Sequence, residues 1–129
     1  MTSHRILLID DEIDIRMVVK ATLELVGGMQ VSVATSGEEG IKKAESEQPD
    51  AILLDMMLPD MDGSKTLENL QQNSKTCQIP VIFLTAKTQI AEQHYSSHVG
   101  AIAVITKPFD PALLSDQVAT ALGWSLSPT

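Results

Sequence analysis

The sequence predicts an α/β fold, a doubly wound five-stranded parallel sheet carrying five helices, and three observations lead there. Four short apolar runs, Ile6–Ile9, Ala51–Leu54, Val81–Leu84 and Ala101–Ile105, are rich in Ile, Leu and Val, as expected of strands buried on both faces of a parallel sheet. Segments with helical spacing alternate with these runs, which is the βαβ signature. Each run also stops at polar residues: Asp10-Asp11, Asp55, Thr85-Ala86 and Thr106-Lys107. Ligands of such sheets bind outside the carboxyl ends of the strands, so these polar groups would converge on one crevice.

The elements follow in order. After the first run, Ile13, Met17, Ala21 and Leu25 recur at helical spacing, and Gly27-Gly28 ends that helix. Val31-Ser32-Val33-Ala34 alternates like a less buried second strand. Ser36-Gly37-Glu38-Glu39 matches a capping box, with Ser36 as N-cap and Glu39 at the third helical position. The second helix then carries Ile41 and Ala44 inward. The strand ending at Asp55 runs into Met56-Met57-Leu58-Pro59-Asp60-Met61-Asp62-Gly63, a loop punctuated by Pro and Gly, and a third helix uses Leu67 and Leu70. Pro80 marks the entry to the fourth strand, where a missing N–H does no harm. A fourth helix over residues 88–98 has the poorest apolar stripe and is expected to be the least firmly anchored. The fifth starts with Asp110 as N-cap and Pro111 at the first helical position, and turns Leu114, Val118 and Ala121 to the core. The tail from Gly123 onward is expected to fray.

Composition narrows the function classes. A chain of 129 residues makes one domain, and at this size roughly 65–70% of the unfolded surface can be buried without help from a disulfide. The single cysteine, Cys77, cannot pair within the chain, which together with the lack of a signal peptide predicts a cytoplasmic protein. No apolar run approaches the ~20 residues of a membrane span, so no membrane association is expected. Nine Lys and Arg against 17 Asp and Glu give a net charge of −8, which argues against direct nucleic-acid binding. Four aromatic residues leave little for base stacking.

The polar groups at the strand ends carry the chemistry. Of Asp10, Asp11 and Glu12, the first two are expected to converge while Glu12 turns outward. Like charges gathered this closely call for a compensating cation. Mg²⁺ suits them, being a hard ion that takes oxygen ligands, keeps several waters and sits with phosphates. No His or Cys lies near these strand ends in sequence to favour zinc. Individually, these residues have ordinary explanations as helix-terminal acids, a loop cap, a strand-end threonine and a surface lysine. Their joint occurrence at four strand ends favours a site. His4, His94 and His98 are expected to face solvent, Cys77 to be a loop thiol, and Met56, Met57 and Met61 to serve packing.

The segments LLIDDE, LLDMMLPDMDG, IFLTAK and ITKPFDP resemble, in order and spacing, the four signature blocks of the bacterial two-component response-regulator receiver domain. The likeness covers nearly the whole chain and is to the single-domain, chemotaxis-receiver type. It implies a flavodoxin-like sheet of order 2-1-3-4-5, an order that the connection lengths also favour and that the chemotaxis receiver itself exemplifies. The receiver would take in residues 1–123, with 124–129 as a short tail.

The resemblance further implies the roles. Asp55 would be the phosphoacceptor. Asp11 and Asp55 would bind Mg²⁺ directly, Asp10 would help through water, and Met57 would offer its backbone carbonyl. Thr85 would donate its hydroxyl to a phosphoryl oxygen beside the Ala86 N–H, and Lys107 would pair with the same group. Pro108 would follow a cis peptide that aims the lysine. The chain would not be an enzyme in the ordinary sense, catalysing only its own phosphorylation and dephosphorylation. Its phosphoryl group would come from a phosphohistidine on a sensor histidine kinase or phosphotransfer protein. A downstream protein target would read a change on the face built from the fourth helix, fifth strand and fifth helix.

Three positions depart from the family pattern or qualify it. Three residues before Lys107, many receivers carry Tyr or Phe, which swings inward as the threonine moves; here the residue is Val104, so the Thr85 half of the switch stands without its aromatic partner. Met57 and Lys87 occupy positions whose side chains line the path of the hydrolytic water, and a bulky Met57 predicts slow loss of the phosphoryl group. Two other readings are a receiver-like interaction module that is never phosphorylated and a Mg²⁺-dependent phosphotransferase or phosphatase. The intact acidic pair, Thr85 and Lys107 count against the first. Met57, where such enzymes place a second Asp, counts against the second.

Overall fold

A computed structural model describes residues 4–58, 60, 63–86, 101–107 and 110–124, the description of Thr85, Ala86, Ala101, Thr106 and Lys107 extending to their strand backbone. The elements are β1 (Arg5–Ile9), α1 (Ile13–Leu25), β2 (Gln30–Ala34), α2 (Gly37–Glu47), β3 (Ala51–Asp55), α3 (Gly63–Gln72), β4 (Val81–Ala86), β5 (Ala101–Lys107) and α4 (Pro111–Leu122). All five strands are parallel, in the order β2-β1-β3-β4-β5. Four helices are present among the described residues, and α4 is the fifth of the helices expected from sequence. The expected helix at 88–98 lies outside the described residues, as do Pro59, Met61, Asp62, Lys87, His94, His98, Pro108 and residues 125–129.

Alternation along the strands sends side chains to two cores. Ile6, Leu8, Leu53, Ile82 and Leu84 pack on one face with Val19 and Leu23 of α1 and Leu114 and Val118 of α4. Leu7, Ile9, Ile52, Leu54 and Phe83 pack on the other with Ala44 of α2 and Leu67 and Leu70 of α3. Both faces are thus covered, which is why the strands read as unbroken apolar runs. The order reverses between β1 and β3, so the carboxyl ends of these two strands border the crevice expected of a doubly wound sheet.

Three local details take their form only in the folded chain. The row Ile13, Met17, Ala21 and Leu25 does not face the core: Leu25 is 85% exposed and Met17 64%. The buried stripe is Ile15, Val19 and Leu23. α1 carries two apolar rows, so helical spacing alone does not choose between them. The capping box at α2 is also shifted. The Glu39 amide donates to Ser36 Oγ at 3.1 Å as expected, but the Glu39 carboxylate accepts from the Thr35 amide (2.7 Å) and hydroxyl (3.0 Å), one residue ahead of the cap. Finally, of the tail expected to fray, Gly123 and Trp124 are described and are held in place, and the rest lies outside the described residues. Trp124 packs against the first core and stacks on the His4 ring at a centroid distance of 3.7 Å, so His4 is half-buried rather than solvent-facing. Among the sequence assignments that hold, Asp110 caps α4 by accepting from the Ala112 amide at 2.9 Å, with Pro111 in the first turn.

Candidate functional site

Asp10 follows directly on β1 and stays in the sheet's plane because its amide donates to Ala34 O at 3.0 Å, extending the β1–β2 ladder by one residue. The side chain is fully buried. Its Oδ1 accepts the Glu12 amide at 2.9 Å, and the Arg16 guanidinium donates to its backbone carbonyl at 3.1 Å. These bonds shape the turn into α1 and leave Asp11 exposed at its bend, with Glu12 exposed at the helix N-cap. Glu12 thus turns outward as expected.

Asp55 closes β3, opposite Leu84 in the ladder, and is 4% exposed. Its Oδ1 accepts the Met57 amide at 3.2 Å. The Met56 amide donates to Leu84 O at 3.1 Å, and the Gly63 amide returns to Met56 O at 2.7 Å. The close return demands glycine: a Cβ on Gly63 would lie 2.7 Å from Met56 Cα and 3.0 Å from Asp55 O. The segment leaving Asp55 is therefore held against the end of its own strand.

The two strand ends bring Asp10, Asp11 and Asp55 together, with one carboxylate oxygen from each lying within 4.8 Å of the others. Two of the three are buried. Carboxylates so placed repel one another, and a cation among them relieves that repulsion. The donor set is all hard oxygen, and among the described residues no His or Cys joins it. That fits Mg²⁺ and not zinc.

The remaining predicted site residues are placed by backbone. Thr85 and Ala86 end β4, and Lys107 ends β5; Thr85 stands opposite Thr106 in the ladder and Ala86 opposite Lys107. Both strand ends lie at the carboxyl edge that also carries Asp10 and Asp55. Met57 is 77% exposed, whereas Met56 packs against the second core. Val104, opposite Phe83 in the ladder, is partly exposed and lines a surface groove with Asp116, Gln117 and Thr120 of α4.

One residue escaped the sequence reading. Asp60 reaches across to the start of α2, its Oδ1 accepting the Gly37 amide at 2.9 Å and its Oδ2 the Glu38 amide at 3.0 Å. Nothing local signals a cap supplied from 22 residues away. Beside it, the hydrogen bond from the Thr35 amide, with that from the Thr35 hydroxyl and the charge of Lys43, holds the Glu39 carboxyl below its usual range. A carboxyl lowered on folding adds stability above its ordinary range, and that increment is lost as pH falls through the folded value.

Comparison with known proteins is consistent across sequence and structure. The model of the response regulator receiver domain family matches residues 6–119. The alkaline phosphatase synthesis transcriptional regulatory protein PhoP of Bacillus subtilis (strain 168) is 38% identical over 120 residues, covering 93% of this chain and 49% of that protein. The chain spans about half the length of the curated relatives it matches. The chemotaxis response regulator CheY4 of Vibrio cholerae superposes with a TM-score of 0.84 at 30% identity, covering 93% of this chain and 99% of that one. The receiver domain of the sensor histidine kinase PA1611 from Pseudomonas aeruginosa PAO1, whose structure has a magnesium ion coordinated in the active site cleft, gives 0.84 at 27% identity, covering 95% and 99%.

Proposed function

We propose a specific phosphoryl-accepting role, starting from the fact that this chain belongs to the response regulator receiver domain family. Receivers of this family act in two-component signalling, paired with histidine kinases, and are signalling modules rather than enzymes of the usual kind. In our reading, Asp55 is the acceptor. A carboxylate oxygen of Asp55 attacks phosphorus in line, the bond from phosphorus to the donor's imidazole nitrogen breaks, and an acyl phosphate forms. The convergence of Asp10, Asp11 and Asp55 within 4.8 Å is the observation that carries this.

Asp11, Asp55 and the Met57 carbonyl would hold Mg²⁺, with Asp10 assisting, and the ion would supply charge neutralisation for the transferring group. The chain's own residues do the rest. The Thr85 hydroxyl and Ala86 N–H bind phosphoryl oxygens, and the Lys107 ammonium neutralises the added charge. Phosphoryl transfer asks mainly for such positioning and electrostatic stabilisation. Signal passes to a protein target through Thr85 and the surface near Val104, β5 and α4, with a short travel because Val104 has no ring to reorient. A net charge of −8 favours a protein target over direct contact with nucleic acid. The receiver unit takes in residues 1–123, with Trp124 packed back against it. No helix among the described residues is long and apolar enough to cross a membrane.

Incubation with acetyl phosphate tests the reading. A single phosphoryl adduct by intact mass that requires Mg²⁺ supports it, and no adduct in saturating Mg²⁺ contradicts it. The lifetime of that adduct bears on Met57. Met57→Asn should shorten the half-life roughly tenfold, equivalent to about 1.4 kcal/mol in the hydrolytic barrier, because a small polar group readmits the in-line water. An unchanged or longer half-life would remove Met57 as the obstacle.

A further inference from the structure

The start of α2 is an unusually firm part of the frame around the acidic site. Gly40 packs so tightly on Ile9 that a Cβ there would lie 2.3 Å from Ile9 Cδ1, and Ile9 directly precedes Asp10. The Asp10 amide is itself bound to Ala34 O, two residues ahead of the Ser36 cap. α2 is thus registered against the end of β1 by packing and by the ladder. Asp60 hangs from this anchor by two hydrogen bonds to the Gly37 and Glu38 amides. Both are charge-assisted and lie where the helix dipole favours a carboxylate. The Met57 amide is bound to Asp55, and Leu58, between Met57 and Asp60, is buried in the second core.

We propose that Asp60 is a positioning residue for the metal site: its two bonds to the α2 amides fix the segment carrying the Met57 carbonyl relative to Asp10. The proposal rests on the reading of Asp10, Asp11, Asp55 and Met57 as the Mg²⁺ ligands, and deepens it. Asp55 and Asp60 belong to one segment, whereas Asp10 belongs to β1. The β1–β3 ladder already spaces Asp10 from Asp55; the bridge from Asp60 to α2, and from α2 through Gly40 and Ile9 to Asp10, adds a second tie that fixes the loop carrying Met57. Outer partners of this kind orient ligands and tune affinity without touching the metal.

The test separates positioning from ordinary helix capping. Asp60→Ala removes both bonds, Asp60→Asn retains one carbonyl acceptor, and Ser36→Ala removes the other cap at the same helix end. Each full chain is titrated with Mg²⁺ alone, following the backbone amide shifts of Asp55 and Met57, and its thermal midpoint is recorded. The expected result is that Asp60→Ala weakens Mg²⁺ binding about tenfold, that Asp60→Asn falls between it and wild type, and that Ser36→Ala lowers the midpoint with Mg²⁺ affinity unchanged. Wild-type affinity in Asp60→Ala, or equal weakening in Ser36→Ala, overturns the proposal while leaving the site intact. Absence of Mg²⁺ binding in wild type overturns the metal-site reading and the proposal with it.

Discussion

Asp11→Ala is expected to raise the stability of the metal-free protein and to abolish the stabilisation that Mg²⁺ confers. Asp11 is exposed, but its carboxylate shares a 4.8 Å cluster with the buried Asp10 and Asp55. Unit charges at that separation repel by about 1–3 kcal/mol between the dielectric of water and that of a protein surface. Exposure places Asp11 at the lower end, so its removal should stabilise the metal-free fold by about 1 kcal/mol, or roughly 4 °C in thermal midpoint for a domain of this size. The gain should shrink with added salt. With Mg²⁺ present the order should reverse, because binding to the native state adds stability to wild type by mass action and, on the proposed ligand set, the variant lacks a direct ligand. Thermal melts in chelator and in Mg²⁺ should therefore cross. Parallel shifts in both proteins would mean that Asp11 is not a ligand.

Phe83→Ala should have the largest effect on folding. Phe83 heads the largest fully buried side chains, sits in β4 opposite Leu54, and fills the core beneath α2 and α3. Truncating a buried aromatic loses transfer free energy and leaves a cavity, about 3–5 kcal/mol together. At roughly 4 °C per kcal/mol, the midpoint should fall by about 12–20 °C. The strand ends are held by the ladder rather than by this side chain, so whatever fraction remains folded should still bind Mg²⁺. Urea denaturation measures the first expectation and an Mg²⁺ titration at low temperature the second. A loss under 1 kcal/mol would mean that the second core repacks around the gap.

Most of the fold was legible because burial on two faces leaves its mark as unbroken apolar runs. Ile6–Ile9 and Ala51–Leu54 read as strands for that reason, and Asp10 and Asp55 were visible as the polar residues that ended them. The α1 face was not legible, since Ile13-Met17-Leu25 and Ile15-Val19-Leu23 both satisfy helical spacing and only tertiary packing decides between them. Glu39 was recognised as a capping residue, but its reach to Thr35 depends on how β2 enters the turn. The Asp60 cap and the His4–Trp124 stack join residues remote in sequence, and no local pattern records such a contact. The site divides in the same way: the carboxylates stand at strand ends that the sequence marks, while the bonds from the α2 amides to Asp60 join residues remote in the chain.

The central claim is that Asp55 receives the phosphoryl group in an Mg²⁺-dependent reaction. The most direct measurement treats the wild-type protein with acetyl phosphate and Mg²⁺, reduces any acyl phosphate with borohydride to an alcohol, and locates the change by peptide mass. The predicted result is a single reduced side chain at position 55, absent in chelator and absent in Asp55→Asn. Reduction at another carboxylate, or none in a protein shown to bind Mg²⁺, would contradict it.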